Sequence, residues 1–455
     1  MAKTKQVYVC QSCGAVHAKW AGQCHDCQSW STLVEEVHTA NPLTERHQGF
    51  AGERNHQVVP LSCVAYTEQH RISTGLSELD RVLGGGLVED SVILLGGDPG
   101  IGKSTLLLMA LCHLSQSKNV LYVTGEESLQ QVSMRAHRLG LSQNQVKLLA
   151  DTQVERIIQK AQKELPAVMV IDSIQTLFST SLSSAPGSVG QVRESAARLV
   201  TYAKQEGVAL FFVGHMTKDG SLAGPRVLEH MVDCVLYFES MDTSKYRMLR
   251  ATKNRFGAVN ELGVFAMLEE GLREVTNPSA IFLARHTEAT PGSVVMATWE
   301  GTRALLVEIQ VLVDQSPSPT PRRVCVGVEQ NRLVMLLAVL HKHCGIPVYD
   351  QDVYVNIVGG LKITETGIDL AILMAVMSSL KGKALPRDLL VFGEVGLSGE
   401  IRPVPGGGER VYEAYKQGFK RALVPEGNVS KKTEQMEMDV QGVKHISALV
   451  AFFND

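Results

Sequence analysis

Short apolar runs separated by helix-length stretches recur through the middle of the chain. The runs are rich in β-branched and aromatic residues: Val92–Leu95, Val120–Thr124, Ala167–Ile171 and Leu210–Val213. Between them lie longer segments with apolar residues every three or four positions, such as Leu129–Leu139 and Val189–Gln205. Strands that alternate with helices favour a mostly parallel sheet covered by helices. The pattern predicts an α/β domain over residues 71–285.

The pattern resets near Thr290–Pro291–Gly292, and the remaining chain mixes strands and helices without strict alternation. The predicted strands there are Ala304–Val313 and Arg323–Val328, and the predicted helices are Asn331–His343, Thr366–Leu380 and Gly407–Gln417. We therefore expect an α+β domain over residues 290–455. Residues 36–70 are polar and contain scattered glycine and proline, which is typical of a linker. Residues 1–35 form a separate, cysteine-rich segment.

Composition excludes several classes of protein. Of 455 residues, 44% are hydrophobic and 20% are charged, which is ordinary for a chain with buried cores. The net charge of −3 excludes a globally basic nucleic-acid coat but leaves room for a local basic surface. No apolar run approaches the ~20 residues of a membrane span, and because Met1–Val9 is polar we expect no secretory signal. We expect a cytoplasmic protein with no membrane partner.

Two closely spaced cysteine pairs predict a Zn²⁺ site. Cys10 and Cys13 form one pair, Cys24 and Cys27 form the other, and ten residues separate the pairs. Four thiolates on two tight turns make the tetrahedral set that zinc prefers, and so short a segment needs the metal in order to fold. His17 and His25 are possible substitute ligands. The alternative, a thioredoxin-like redox site, needs a surrounding βαβ unit for which this segment is too short.

A glycine-rich stretch predicts an ATP site. It fits the pattern G-x4-G-K-[ST] and follows the apolar run Val92–Leu95. Its members are Gly97, Asp98, Pro99, Gly100, Ile101, Gly102, Lys103, Ser104 and Thr105. The glycines allow backbone N–H groups to surround phosphates at a helix N-terminus. Lys103 is expected to reach the β- and γ-phosphates, and Ser104 to hold Mg²⁺.

Three further strands end in polar residues that belong at the same sheet edge. Asp172 ends one apolar run and is expected to hold the Mg²⁺ shell. Glu126 and Glu127 follow another run, and either can orient and deprotonate the attacking water, although a first-turn acid is also favoured by the helix dipole. We favour Glu126. His215 and Thr217 end a fourth run and are candidate γ-phosphate sensors, with a buried structural histidine as the alternative.

A basic strip lies at residues Lys245–Gly257, which contain five cations and no acid. Two functions compete for it. The strip can bind a nucleic-acid backbone, or Lys253 and Arg255 can enter the ATP site of a neighbouring subunit as catalytic finger residues. The sequence leaves both interpretations open.

Together these motifs resemble one family over essentially the whole chain. The ribbon Cys10–Cys27 with Trp30–Val34, the segment Ile72–Asp80, the phosphate loop and Lys253–Gly257 occur in the order found in the bacterial RadA (Sms) family of DNA repair proteins. The resemblance implies a RecA-like ATPase core in a hexameric ring. It also implies a DNA-dependent helicase motor that acts on single-stranded and branched DNA and promotes branch migration with the RecA recombinase.

The C-terminal part resembles the Lon protease domain but departs from its catalytic pattern. Glu365 stands where the family has its nucleophilic serine, and the stretch Gly406–Arg410, where the partner lysine belongs, contains no lysine. A carboxylate cannot replace an activated hydroxyl in acyl transfer. We expect a non-proteolytic scaffold with basic, DNA-facing patches, for which Arg322, Arg323 and Lys362 are candidates.

Two other functions stay open at this point. Because the segment Ile72–Gly97 also resembles ATPases that only assemble or phosphorylate themselves, the chain can be a regulatory ATP switch that does not translocate. An ATP-dependent protease is the third possibility, and Glu365 argues against it. If the chain is a motor, the glycine-containing segment Asp219–Arg226 is a candidate DNA-contacting loop.

Overall fold

The structure is a computed structural model that describes residues 4–10, 15–39, 60, 70–141, 144–215, 225–240, 245–283 and 289–453. The chain divides into two compact units, Met1–Val275 and Thr276–Asp455. The division falls before the short helix Ser279–Phe282, whereas the sequence pattern put the end of the first α/β domain at residue 285. In the part of the chain that is described, no helix is both long enough and apolar enough to cross a membrane.

The N-terminal segment is a small antiparallel sheet. Its strands are β1 (Thr4–Cys10), β2 (Val16–His17) and β3 (Leu33–Thr39), in the order β2–β1–β3. Cys10 pairs with Leu33 across the sheet, and both are buried together with Cys24. Two of the three buried residues in this cluster are cysteines, so apolar packing alone gives the segment little stability.

The rest of the first unit alternates strands and helices. Its strands are β4 (Arg71–Ile72), β5 (Leu87–Val88), β6 (Val92–Gly97), β7 (Val120–Thr124), β8 (Lys147–Ala150), β9 (Val168–Asp172), β10 (Ala209–His215), β11 (Cys234–Ser240), β12 (Tyr246–Asn254), β13 (Leu262–Leu268) and β14 (Gly271–Glu274). Its helices are α1 (Ser77–Val82), α2 (Lys103–Leu114), α3 (Leu129–Arg138), α4 (Val154–Glu164), α5 (Val189–Glu206) and α6 (Pro225–Glu229).

Among the described residues, nine of these strands form one mixed sheet in the order β14–β13–β12–β11–β6–β10–β9–β7–β8. The strands from β11 to β8 in this order run parallel, and β12, β13 and β14 add antiparallel pairs at one side. Helix α2 packs on one face of the sheet, and α4 and α5 pack on the other. The prediction of a mostly parallel sheet between helices is confirmed. The carboxyl ends of β6, β7, β9 and β10 meet at one edge, where ligands of such sheets bind.

The second unit is a mixed sheet with helices. Its strands are β15 (Ser293–Glu300), β16 (Arg303–Gln315), β17 (Arg323–Val326), β18 (Gln351–Ile357), β19 (Leu389–Val391), β20 (Glu394–Val395), β21 (Ile401–Arg402), β22 (Arg421–Pro425) and β23 (Asp439–Val443). Its helices are α7 (Ser279–Phe282), α8 (Gln330–Cys344), α9 (Asp369–Lys381), α10 (Gly407–Lys416) and α11 (Lys431–Glu434). The larger sheet has the order β17–β18–β16–β15–β19–β22–β23 within the described residues.

Helix α9 is the centre of the second unit, since its first ten residues are all buried. The predicted helix Thr366–Leu380 begins later than expected, because Thr366–Ile368 form a 3₁₀ turn. The carboxylate of Asp369 at the first position of α9 pairs with Arg332 of α8. Burial raises the pKa of Asp369, and the Arg332 guanidinium opposes that effect. The guanidinium of Arg332 therefore neutralises the Asp369 carboxylate, which would otherwise be an unpaired charge at the start of a buried helix.

Candidate functional site

The phosphate loop connects β6 to α2 at the carboxyl edge of the first sheet. Gly97 has a φ of 150°, and a Cβ on it would lie 2.4 Å from the carbonyl oxygen of Phe238, so this position needs glycine. Gly100, in contrast, has no atom within 4 Å of the position that a Cβ would take. One side of the loop is packed and the other faces open space. Backbone N–H groups at a helix N-terminus next to open space fit a polyphosphate.

Lys103 is the first residue of α2, and only 4% of its surface is exposed. Its ammonium donates to the carbonyl oxygens of Gly97 at 2.7 Å and Asp98 at 2.9 Å. Desolvation lowers the pKa of Lys103, while the nearby charges of Asp172 and Glu126 act in the opposite direction. The structure therefore holds a buried cation inside the loop, close to two carboxylates.

Asp172 lies at the end of β9, where it pairs with Thr124 of β7. Its Oδ2 accepts a hydrogen bond from the hydroxyl of Tyr122, a contact that sequence reasoning missed. The signal was available, since a tyrosine within a buried apolar run usually needs a polar partner. Carboxylate and hydroxyl oxygens are the donors that Mg²⁺ prefers, so Asp172 and Ser104 supply suitable chemistry for that ion.

The two candidate bases point to different partners. Glu126 accepts a hydrogen bond from Ser173, and its Oε1 lies 3.1 Å from Nε2 of His215. The hydrogen bond with His215 is the largest cause of a lowered pKa for Glu126. Glu127 instead forms an ion pair with Arg135 of α3. The structure thus brings Glu126, and not Glu127, next to the residues of the phosphate loop.

His215 joins the base to the phosphate loop. Its Nδ1 lies 3.4 Å from Nζ of Lys103, while its Nε2 faces Glu126. The ring is 32% exposed, so it is not the fully buried structural histidine that the sequence left as an alternative. Thr217, the other sensor candidate, and residues 219–224 of the candidate DNA loop lie outside the described residues.

Lys253 and Arg255 lie near the amino ends of the parallel strands, whereas the phosphate loop lies at the carboxyl ends. At the end of β12, Asn254 pairs with Cys234, which also pairs with Ile93 at the start of β6. The phosphate loop begins at the other end of β6, at Gly97, about 13 Å away at about 3.3 Å per residue. These two cations therefore do not belong to the ATP site of their own chain. A neighbouring subunit's site and DNA both remain possible targets.

Most of the Lys253–Gly257 motif is used to build its own turn. The ammonium of Lys253 donates to the carbonyl oxygens of Glu229 and Val232, at 2.5 and 2.7 Å. Asn254 donates to the carbonyl oxygen of Val82, and a Cβ on Gly257 would lie 2.8 Å from Cα of Gly84.

Arg255 differs from the rest of the motif. Its side chain is 61% exposed and pairs with the buried carboxylate of Asp233 at 3.2 Å. Arg255 is thus the member of the motif whose charge faces outward. The basic strip as a whole is not one patch. The strand partner of Arg247 is Ser240, which places Arg247 at the end of β12 nearest the phosphate loop, whereas Arg255 follows the other end of that strand.

The cysteine segment fits a zinc ion. The Sγ atoms of Cys10, Cys24 and Cys27 all lie within 4.8 Å of one another, and those of Cys10 and Cys27 are 3.6 Å apart. Tetrahedral Zn–S bonds of about 2.3 Å place sulfurs about 3.8 Å apart, which agrees with this distance. Cys13 lies outside the described residues. Nε2 of His17 is 3.4 Å from Sγ of Cys24 and 3.5 Å from the carboxylate of Asp26.

In the second unit, Glu365 contacts Arg410, which lies in the stretch where the resemblance to Lon led us to expect a lysine. Arg410 is fully buried, and its guanidinium donates to both oxygens of Glu365, at 2.8 and 2.6 Å. It also donates to the carbonyl oxygen of Pro405 at 3.0 Å, and the backbone N–H of Trp299 donates to Glu365 at 3.0 Å. The sequence indicated that a lysine was missing but did not reveal that Arg410 forms an ion pair with Glu365.

Part of the basic patch that the sequence predicts for this unit forms hydrogen bonds with the chain's own backbone. Arg323 donates to the carbonyl oxygens of Val348 at 2.7 Å and Arg322 at 2.9 Å. Its guanidinium is therefore engaged with nearby backbone. Lys362 is exposed in the loop before the 3₁₀ turn Thr366–Ile368.

Three family models match separate parts of the chain. A model described as an AAA domain matches residues 60–221, which contain the phosphate loop and Asp172. A model described as a rubredoxin metal binding domain matches residues 8–35, the cysteine segment. A model described as subunit ChlI of Mg-chelatase matches residues 329–428 of the second unit. These matches agree with the predicted order of a zinc ribbon, an ATPase core and a Lon-like domain.

Curated relatives match the chain over nearly its whole length. The DNA repair protein RadA of Pseudomonas aeruginosa is 63% identical, with 95% of each chain covered. RadA of Escherichia coli is 57% identical, with both chains covered completely. RadA of Bacillus subtilis is 47% identical over 98% of each chain.

Proposed function

Because this chain belongs to the RadA family of DNA repair proteins, we propose that it is an ATP-driven motor that moves along DNA during recombinational repair. One observation carries the proposal: Lys103, Glu126, Asp172 and His215 converge on a phosphate loop at the ligand edge of a parallel sheet. This set contains a phosphate-binding cation, a candidate base and a metal-binding carboxylate. These are the parts that phosphoryl transfer needs.

Each residue has a distinct role in the proposed hydrolysis. The loop N–H groups and Lys103 bind the phosphates, and Asp172 and Ser104 would hold Mg²⁺, which supplies charge neutralisation at the phosphates. Glu126 orients the attacking water and accepts its proton. Because its pKa is lowered, chiefly by the hydrogen bond with His215, Glu126 is a carboxylate throughout the neutral pH range. His215, which contacts both Lys103 and Glu126, is placed to sense the γ-phosphate.

Arg255 would complete the ATP site of the next subunit in a ring, which we propose to be hexameric. Its position at the far edge of the sheet and its 61% exposure support a role outside its own chain. An arginine that enters from a neighbour stabilises charge in the transition state of phosphoryl transfer. Lys253 supports the turn that presents Arg255. Direct contact of Arg255 with DNA is the competing role.

The second unit is proposed to be a scaffold without protease activity. A serine protease of the Lon type needs a hydroxyl nucleophile and a nearby base. Here Glu365 is held by the two terminal nitrogens of the buried Arg410 guanidinium and by a backbone N–H. Neither side chain of this pair supplies the activated hydroxyl that acyl transfer of the Lon type needs.

The proposed DNA substrates are single-stranded and branched molecules that arise during strand exchange, with the RecA recombinase as a partner. The family supports this assignment, and the relatives are named as DNA repair proteins. A regulatory ATP switch that binds nucleotide without translocation is the alternative. A switch would use the same ATP site, but its ATP hydrolysis would not move the protein along DNA.

Strand separation on a forked duplex distinguishes a motor from a switch. We expect addition of single-stranded DNA to raise ATP turnover severalfold, and we expect a fluorescent strand to be released from a fork only with hydrolysable ATP. Release is measured as loss of energy transfer between two labelled strands. Unchanged turnover with DNA, together with no strand release, would refute the motor and favour the switch.

Replacement of the exposed arginine tests the contact between subunits. We expect Arg255→Ala to leave the affinity for a fluorescent ATP analogue unchanged and to lower turnover by about a hundredfold or more, since arginine fingers contribute ~10³–10⁵ to rate. Arg156→Ala is the matched control, because Arg156 is 57% exposed and also pairs with an aspartate, Asp151, whose side chain is 7% exposed. It should retain turnover.

Mixing experiments separate the two roles of Arg255. If Arg255 acts in a neighbour's site, adding Arg255→Ala chains to Lys103→Ala chains restores part of the turnover, because some sites then combine an intact loop with an intact arginine. No restoration at any ratio, combined with weaker DNA binding by Arg255→Ala alone, would assign Arg255 to DNA contact.

A further inference from the structure

Tyr122 is a buried residue that the proposed mechanism has not yet used. It lies in the middle of β7 and has no exposed surface. Its hydroxyl donates a hydrogen bond to Oδ2 of Asp172 on the neighbouring strand. A phenylalanine ring would fill the same apolar space without a polar atom, so the presence of the hydroxyl group needs an explanation.

The strand register explains how the two side chains meet. Tyr122 pairs with Val170, and Thr124 pairs with Asp172, so Tyr122 and Asp172 are diagonal neighbours on adjacent strands. Diagonal neighbours are within reach of an aromatic side chain. Side chains alternate along a strand, and both Val170 and Tyr122 pack on the α2 side of the sheet. Asp172 therefore points to the same side, toward the helix that begins with Lys103 and Ser104.

We propose that Tyr122 is a positioning residue for metal-dependent ATP hydrolysis: its hydroxyl fixes the rotation of the Asp172 carboxylate, whose other oxygen, Oδ1, would then be oriented to hold Mg²⁺. Oδ2 is occupied by the phenol, whereas no hydrogen bond to Oδ1 is formed by the side chains that the structure describes. A carboxylate that is held at one oxygen loses less rotational freedom when the other oxygen binds an ion.

The inference depends on the proposed ATP site and names a further residue of it. Tyr122→Phe removes one oxygen atom and retains the packed ring, so the fold is expected to survive. A hydrogen bond to a charged group contributes about 1.5–3 kcal/mol to stability, which corresponds to a change of about tenfold or more in an equilibrium constant. We expect the Mg²⁺ concentration for half-maximal turnover to rise about tenfold, with part of the lost rate restored at high Mg²⁺. Binding of a fluorescent ATP analogue in the presence of EDTA should not change.

Tyr202→Phe is the matched control. Tyr202 is also buried, on α5, and burial raises its pKa to about 12. Its hydroxyl has no hydrogen-bond partner among the described residues. This variant should keep the wild-type Mg²⁺ titration, and its thermal stability should be equal or higher, because a buried unpaired hydroxyl is lost.

Three outcomes can be told apart. A shifted Mg²⁺ midpoint in Tyr122→Phe alone supports the positioning role. An unchanged midpoint overturns it, even if turnover falls, because a merely structural defect lowers activity without altering the metal dependence. If Lys103→Ala retains full turnover in the same assay, the ATP site itself is misassigned, and the failure lies with the proposed function rather than with Tyr122.

Discussion

Lys103→Ala is expected to lower ATP turnover by about a hundred- to a thousandfold, the loss typical when a single preorganised electrostatic donor is removed from an active site. Lys103 is the buried cation of the phosphate loop, and its ammonium already lies between the carbonyl oxygens of Gly97 and Asp98. Alanine leaves the loop backbone in place but removes the positive charge. Release of inorganic phosphate at saturating ATP measures the effect.

The design needs a control for the loss of a lysine as such. Lys163→Ala removes an exposed cation from the last turn of α4, far along the chain from the loop, and should retain turnover. The thermal transition of Lys103→Ala is measured alongside turnover, so that a loss of folded protein is distinguished from a loss of the positive charge in the site. Wild-type turnover in Lys103→Ala would show that ATP is hydrolysed elsewhere.

The second large effect concerns stability rather than rate. Arg410→Met is expected to destabilise the second unit by about 3–5 kcal/mol, because it leaves the Glu365 carboxylate without its buried counter-charge. The double variant Glu365→Leu with Arg410→Met should regain most of that loss, since an apolar pair of similar volume often replaces a buried ion pair without cost. Urea unfolding, followed by the fluorescence of Trp299 after Trp20 and Trp30 are replaced by phenylalanine, measures both.

Arg421→Met is the control for this pair. Arg421 is 55% exposed and lies 3.9 Å from Asp388, so its loss should change stability by less than about 1 kcal/mol. A loss of similar size in Arg421→Met and Arg410→Met would mean that burial of the Glu365–Arg410 pair has no special cost. Recovered peptidase activity in any of these variants would contradict the scaffold role.

The sequence predicted the elements of the first sheet well because their signals are local. A run such as Val120–Thr124 is apolar, β-branched and bounded by polar residues, and it is strand β7 in the structure. The phosphate loop is equally local, since its glycines, Lys103 and Ser104 are adjacent in the chain. Patterns that depend on spacing alone can be read without tertiary structure.

What the sequence could not predict depends on pairing between distant segments. The position of Arg255 relative to the phosphate loop follows from the antiparallel pairing of β12 with β11, which no local pattern encodes. Glu126 and Glu127 are neighbours in sequence, and only the tertiary structure shows that Glu127 contacts Arg135 whereas Glu126 contacts His215. The contact between Tyr122 and Asp172, and that between Glu365 and Arg410, likewise join residues far apart in the chain.

Arg255 lies near the amino ends of the parallel strands, and Lys103 lies near their carboxyl ends. This separation has a geometric consequence for assembly. If Arg255 completes the ATP site of a neighbour, each chain offers a donor surface on one side and an acceptor surface on the other. Contacts of this kind repeat head to tail and generate a closed ring or an open filament. An isolated chain would then hold both halves of a catalytic centre that cannot meet, so turnover per chain would rise with protein concentration until every neighbour is in place.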